Sequence, residues 1–183
     1  MRFNETSLAG LVEIIPQTYE DNRGYFFETL KTWELNRFCG KEFNFIQENE
    51  SMSVFGTVRG LHYQLADFAQ TKLIRVISGK VLDVVVDLRS KSKTFGQTYS
   101  TILDSENKKQ LLIPKGFAHG QITLSKNAIF LYKIDSIYSP KHERGINFKD
   151  PTLAIDWSLQ DSDLLFSKRD SLLPNFQFDK YYF

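Results

Sequence analysis

The sequence predicts an all-β sandwich or barrel with one short helix near its N-terminus. Apolar, β-branched and aromatic runs recur at spacings of about 8 to 12 residues, with Gly, Pro, Asn or Asp turns between them. The composition is aromatic, with 16 Phe, 8 Tyr and 2 Trp, side chains that suit pleated, packed surfaces. No internal repeat, low-complexity tract or linker interrupts the 183 residues. One domain over residues 1–183 is therefore expected, large enough to bury a core without disulfide or metal staples.

Leu11 to Ile15 reads as a first strand, stopped by Pro16, which has no N–H to give a ladder. Asp21-Asn22-Arg23-Gly24 is a turn. Tyr25 to Leu30 is a short aromatic strand whose Phe26 and Phe27 are expected to pack in the core. Lys31 to Gly40 is the helix, with Trp33, Leu35 and Phe38 apolar and Gly40 as its stop signal. Asn44 to Ser51 is a strand rich in amides and hydroxyl, either an exposed edge or a surface that reads a base or sugar.

Thr71 to Ile77 and Val81 to Leu88 flank Ser78-Gly79-Lys80 and predict a hairpin. By the two-residue period Lys72, Ile74 and Val76 share a face, as do Asp83, Val85 and Asp87. Asp87 is expected on a solvated outer face. Lys72 and Asp83 read equally well as solvated charges or as site groups, because burying either requires a partner. Phe95 to Leu103 is a further strand and Asp104 to Asn107 a polar turn. Gln110 to Ile113 then runs through Pro114-Lys115-Gly116 into a return strand ending near Leu124. Ala128 to Ile134 is the last clear strand, with Tyr132 on the side of Phe130 and Ile134. The pattern loosens into Gly145 to Phe148 and Ile155 to Trp157, and the tail from Leu164 to Phe183 is aromatic but aperiodic.

Lys and Arg total 23 against 22 Asp and Glu, so no broad basic field draws nucleic acid or anionic lipid, and any anion is bound locally. The single cysteine, Cys39, cannot form an internal disulfide and reads as a small buried or half-buried thiol in a reducing compartment. Met1 to Thr6 lacks an apolar signal core, and no run approaches the roughly 20 apolar residues of a membrane span. A soluble, cytoplasmic protein is expected.

His62, His119 and His142 are the only histidines. A β-barrel metal site calls for paired ligands such as His-x-His with a later acid and a third His, a pairing this chain lacks, so no metal is expected. There is no Gly-x-Ser-x-Gly elbow and no phosphate-binding glycine loop, and Gly60 alone is not a dinucleotide fingerprint. Acid–base chemistry without a cofactor remains. It needs a neutral His as base, a carboxylate to fix its tautomer, a Lys to stabilise an enolate and a Tyr to return the proton. His62, Lys72, Tyr132 and several Asp residues supply those types, although spacing alone does not bring them together.

Arg59-Gly60-Leu61-His62-Tyr63-Gln64, Pro114-Lys115-Gly116-Phe117-Ala118-His119-Gly120, Tyr138-Ser139-Pro140 with His142-Glu143-Arg144-Gly145, and Ile155-Asp156-Trp157 then Ser167-Lys168-Arg169-Asp170 occur in that order. Together, over about Leu11 to Pro174, the chain resembles the dTDP-4-dehydrorhamnose 3,5-epimerases. The resemblance implies a cupin-type jelly roll with a few helical turns near the C-terminus, no metal or other cofactor, and a homodimer. It also implies conversion of dTDP-4-dehydro-6-deoxy-D-glucose to dTDP-4-dehydro-L-rhamnose, on the way to dTDP-L-rhamnose and cell-surface polysaccharide. By the family pattern His62 is the base, Asp170 its orienting carboxylate, Tyr132 the proton donor and Lys72 the cation facing the enolate oxygen, with His119 and Asp83 a second His–Asp pair. Arg23, Glu28, Gln47, Glu48, Asn49 and Arg59 match diphosphate and base contacts, Arg23 and Glu28 reaching across from the partner subunit. Tyr138 matches the tyrosine that stacks on the base, and Glu143 and Lys168 match further polar contacts.

On a plain strand Arg59 and His62 point to opposite faces, so both reach one ligand only through a twist or bulge, for which Gly60 is the natural place. The chain departs from the usual pattern at Glu48, where Asp is common, at Glu50, where His is common, and at Gln121, where an aromatic is usual. A single-carbon epimerase and a 3,4-ketoisomerase on a related sugar nucleotide are the nearest alternatives. A non-catalytic nucleotide-sugar-binding cupin is disfavoured, because His62, Asp170 and Tyr132 are all present.

Overall fold

The computed structural model describes residues 1–183. In chain order its strands are β1 (Arg2–Glu5), β2 (Val12–Ile15), β3 (Thr18–Asp21), β4 (Gly24–Phe27), β5 (Gln47–Val54), β6 (Val58–Gln64), β7 (Lys72–Ser78), β8 (Lys80–Asp87), β9 (Thr98–Asp104), β10 (Gln110–Ile113), β11 (Phe117–Thr123), β12 (Asn127–Ile134) and β13 (Glu143–Gly145). The helices are α1 (Thr32–Cys39) and α2 (Lys168–Ser171). A six-stranded sheet runs β1-β2-β10-β7-β12-β5, a five-stranded sheet runs β13-β6-β11-β8-β9, and β3 with β4 forms a separate hairpin. All pairings between these strands are antiparallel. This is an all-β, cupin-type jelly roll, as expected, and none of its helices is long and apolar enough to cross a membrane.

Apolar side chains are buried in three layers. Ile74, Val76, Leu111 and Phe130 of the larger sheet meet Val81, Val85, Leu103 and Phe117 of the smaller one, filling one end of the sandwich. Outside the smaller sheet, Val84, Val86, Ala118 and Ile122 are covered by Phe148, Trp157, Phe176 and Tyr182 from the C-terminal segment. The aromatic but aperiodic tail is thus a lid on the sheet's outer face. Outside the larger sheet, Leu35 of α1 packs on Val12, Ile14, Leu73 and Leu112. The helix ends at Gly40, which takes the left-handed conformation at φ 65°.

Four expectations are corrected. The segments around Gly79 are not a hairpin: β7 pairs with β10 and β12 while β8 pairs with β9 and β11. The turn carries the chain from one sheet to the other. The turn at Pro114 to Gly116 does the same between β10 and β11. Asp87 is fully buried rather than solvated. Its carboxylate accepts hydrogen bonds from Arg89 Nε at 2.8 Å, Ser92 Oγ at 2.6 Å and Thr94 Oγ1 at 2.6 Å, all from the loop that follows β8. Phe26 is exposed and Phe27 only half-buried, because the β3–β4 hairpin stands apart from both sheets. Cys39 is half-buried, as predicted.

Candidate active site

Strand β6 turns Val58, Leu61 and Tyr63 toward the tail layer. Arg59 and His62 face the sandwich interior instead, and a bulge makes that possible. His119 lies opposite His62 and Gln121 opposite Arg59, so a three-residue step on β6 is matched by a two-residue step on β11. The extra residue falls at Gly60-Leu61, whose peptide is cis. Gly60 has φ +113°, and a Cβ there would lie 2.6 Å from the His119 carbonyl oxygen and 2.7 Å from Gly120 Cα. No other residue fits that approach.

The end of the sandwich not filled by apolar side chains holds two adjoining cavities of about 350 Å³ each, which share His62, Lys72 and Tyr132 on their walls. One also contains Arg59, His119, Gln121 and Asp170, and the other Gln47, Asn49, Tyr138 and Glu143. The shared residues come from β6, β7 and β12, and therefore from both sheets.

His62 Nε2 lies 2.6 Å from Asp170 Oδ1, with side chains 26% and 7% exposed. Ser167 caps α2 by accepting from the Asp170 N–H at 3.0 Å, and its hydroxyl donates to Asp170 Oδ2 at 2.9 Å. Burial acts to raise the Asp170 carboxyl, but the hydrogen bond and charge of His62, the Ser167 hydroxyl and the Arg169 guanidinium outweigh it and hold it below the ordinary range. An ionised carboxylate only accepts, so the proton of a neutral His62 sits on Nε2. Nδ1, which makes no hydrogen bond within the protein, keeps its lone pair.

His119 Nε2 lies 2.8 Å from Asp83 Oδ2. Burial pushes the fully buried Asp83 carboxyl up against the opposing pull of His119 and Lys72. Burial also pushes the Lys72 ammonium down, opposed by Glu143 and Asp83. The Tyr132 phenol is raised by burial, with Arg59 opposing, and keeps its proton at neutral pH. Glu143 accepts from the Tyr138 hydroxyl at 2.7 Å and from Arg169. Burial acts to raise its carboxyl, but those two partners and His62 hold it low.

Of the residues predicted for the site, His62, Lys72, His119, Tyr132, Asp170, Arg59, Gln47, Asn49, Tyr138 and Glu143 line the cavities, and Asp83 supports His119 from behind. Four stand elsewhere. Arg23 is ion-paired with Asp21 at 2.6 Å in the exposed β3–β4 turn, and Glu28 pairs with Lys31 at 2.6 Å. Glu48 points to the face of β5 opposite Gln47 and Asn49 and pairs with Lys133 at 2.7 Å, because side chains alternate along a strand. Lys168 is exposed on α2, which turns its neighbour Arg169 to the cavity instead. Ser51, within the strand read as an exposed edge or a base- or sugar-reading surface, also lines the wall, as do Gln70 and Arg169, which the sequence reading missed. Ser51 continues the Gln47, Asn49 alternation and was legible; nothing local distinguishes Arg169 from Lys168. No three His, Cys, Asp or Glu side chains are grouped to hold a metal ion.

Moving a proton on carbon next to a ketone requires a base and an acid on opposite sides of the substrate and a fixed cation at the oxygen. His62, Tyr132 and Lys72, on a wall shared by two facing sheets, supply one side chain of each of these types. The class is an isomerase that acts through proton transfer at carbon. More particularly, residues 5–177 match the dTDP-4-dehydrorhamnose 3,5-epimerase family, to which the chain belongs. It is 45% identical to the dTDP-4-dehydrorhamnose 3,5-epimerase of Pseudomonas aeruginosa, covering 92% of each chain. Its fold matches the crystal structure of the enzyme of that name from Elizabethkingia anophelis with a TM-score of 0.95 at 41% identity, covering 100% of this chain and 99% of that one. It also matches a dTDP-6-deoxy-D-glucose-3,5-epimerase from Legionella pneumophila in complex with dTDP-4-keto-L-rhamnose, with a TM-score of 0.88 at 41% identity, covering 96% and 98%.

Proposed function

We propose that the protein epimerises C3 and C5 of a dTDP-linked 4-keto-6-deoxyhexose without a cofactor, converting dTDP-4-dehydro-6-deoxy-D-glucose to dTDP-4-dehydro-L-rhamnose. The observation that carries this reading is the placement of His62 on one sheet and Tyr132 on the other, with Lys72 beside them, on the wall common to both cavities. A sugar ring held between the sheets meets the base on one face and the acid on the other. Inversion at carbon requires that arrangement.

Carbons 3 and 5 both flank the ketone. His62 Nδ1 takes the proton from one of them, the C–H electrons move into the enolate, and Asp170 stabilises the imidazolium that forms. The Lys72 ammonium stabilises the enolate oxygen, where a preorganised cation in a water-poor site lowers the barrier most. Tyr132 then gives its proton to the opposite face of the same carbon; the imidazolium of His62 releases its proton to solvent and the Tyr132 phenolate regains one from it, which restores base and acid for the second carbon. His119, held by Asp83, binds the sugar.

Arg59 holds the diphosphate, Tyr138 stacks on the base, and Gln47, Asn49 and Glu143 add polar contacts. Arg23 and Glu28 serve the partner's site in a homodimer. They line neither of their own chain's cavities, and their hairpin exposes Tyr19, Tyr25 and Phe26. The test is to incubate the 4-keto sugar nucleotide with the protein in deuterated water and follow the sugar by NMR. Exchange at both carbons is expected. Exchange at one carbon identifies a single-carbon epimerase, and none at either overturns the reading for this substrate.

A further inference from the structure

Two polar rungs lie on the face of the smaller sheet turned to the cavity. One joins His62 to His119, and the other runs from Arg59 through Gln121 to Asp83. Gln121 is 4% exposed and lines the cavity. Its carboxamide makes no hydrogen bond within the protein, and its Oε1 is buried without a partner. So is Oδ1 of Asp83, its neighbour across the strands. An unpaired buried amide is costly, and an apolar side chain of the same size would remove the cost. Such a group at a cavity wall is explained by a partner that arrives with the ligand.

We propose that Gln121 is a specificity residue that hydrogen-bonds the C2 hydroxyl of the sugar, and so selects hexoses carrying that hydroxyl over 2-deoxy sugars. The inference rests on the epimerase reading for the placement of the ligand. Arg59 anchors the phosphate attached at C1, and His62 works at C3 and C5. Gln121 is in register with Arg59 and one rung from the His62–His119 pair, so the sugar atoms it faces are those between anchor and reaction centre. Of these only the C2 hydroxyl both donates and accepts, and it therefore satisfies either end of the carboxamide. With its oxygen turned to the cavity, the carboxamide accepts from that hydroxyl while its NH2 donates to Asp83 Oδ1, directly opposite on β8, and both orphaned groups are satisfied together.

The test compares the 4-keto-6-deoxyhexose nucleotide with its 2-deoxy analogue, using wild type and Gln121→Met, which keeps the length and removes the hydrogen bonds. Gln121→Leu serves as the second variant if Met unsettles β11. Wild type is expected to favour the hydroxylated sugar by about 10- to 100-fold in kcat/KM for exchange and in affinity by calorimetry, and the variant to compress that ratio to within about threefold. The variant's thermal stability is expected to equal or exceed that of wild type. A variant that keeps the wild-type ratio, or a wild type that treats both sugars alike, overturns the proposal. The calorimetric ratio needs no turnover. A wild type that shows it without exchange overturns the epimerase reading and supports the assignment of Gln121, whereas one that exchanges without it does the reverse. A wild type that binds neither overturns both.

Discussion

Replacing Asp170 by Asn removes one charge and almost no volume, which isolates the electrostatic part of the catalytic pair. The backbone N–H of residue 170 still donates to Ser167 Oγ, so the cap of α2 survives. The carboxylate is 7% exposed and 2.6 Å from His62 Nε2. Once His62 has taken a proton, two unit charges with centres about 4 Å apart attract by about 4 kcal/mol at an effective dielectric constant near 20. Losing that stabilisation slows proton abstraction about a thousandfold. The amide adds a second fault: its NH2 donates to Nε2, which drives the imidazole proton onto Nδ1, where the base must be free. The assay is the initial rate of deuterium incorporation into the 4-keto sugar, with dTDP affinity measured by calorimetry. We expect kcat to fall about a thousandfold and the Kd for dTDP to stay within about threefold. An exchange rate within tenfold of wild type would refute the claim that the carboxylate fixes and charges the base.

Further perturbations follow from the same structure. His62→Ala should abolish exchange with nucleotide affinity nearly intact, whereas Arg59→Ala should weaken binding first; calorimetry showing the reverse order would exchange their roles. Gly60→Ala places a Cβ 2.6 Å from a backbone oxygen at φ +113°, so a loss of more than about 2 kcal/mol is expected, and a melting temperature within a degree or two of wild type would count against the bulge. Asp87, Asp170 and Glu143 are all held below the ordinary carboxyl values of 3.8 and 4.5. They contribute stability that is fully present above those values and lost as pH falls through their lower, folded-state values, so their contribution to thermal stability should be constant above about pH 5 and decline below about pH 4. Asp87→Asn should cost about 2 to 4 kcal/mol at neutral pH and flatten that decline; an unchanged acid limb in scanning calorimetry would show that Asp87 is not its source.

Much of the local structure was legible because it depends on neighbours in the chain. The helix before Gly40 and the strand from Ala128 to Ile134 announce themselves through period and stop signals. The two reversals at Gly79 and Pro114 were misread for a general reason: a turn signal reports that the chain doubles back, and the same residues serve a hairpin and a crossing between facing sheets. Asp87 was misplaced because alternation assumes that one face of a strand is wet. Both faces of β8 are covered, one by the opposite sheet and one by the tail. Phe26 was assigned to a core that its hairpin never reaches.

By itself the sequence determined which chemistry was available. It supplied a histidine, a lysine, a tyrosine and carboxylates in β segments, a glycine where the strand had to bulge, and the ordered motifs of one family. Only the tertiary structure decided that His62 meets Asp170, 108 residues away, that Tyr132 stands across the cavity on the opposing sheet, and that Glu48 and Lys168 turn away from it while Gln121 and Arg169 turn in. The physical reason is range. Strand, turn and bulge follow from propensities and sterics that act over a few residues, whereas side chains converge only after distant apolar faces have chosen what to bury against.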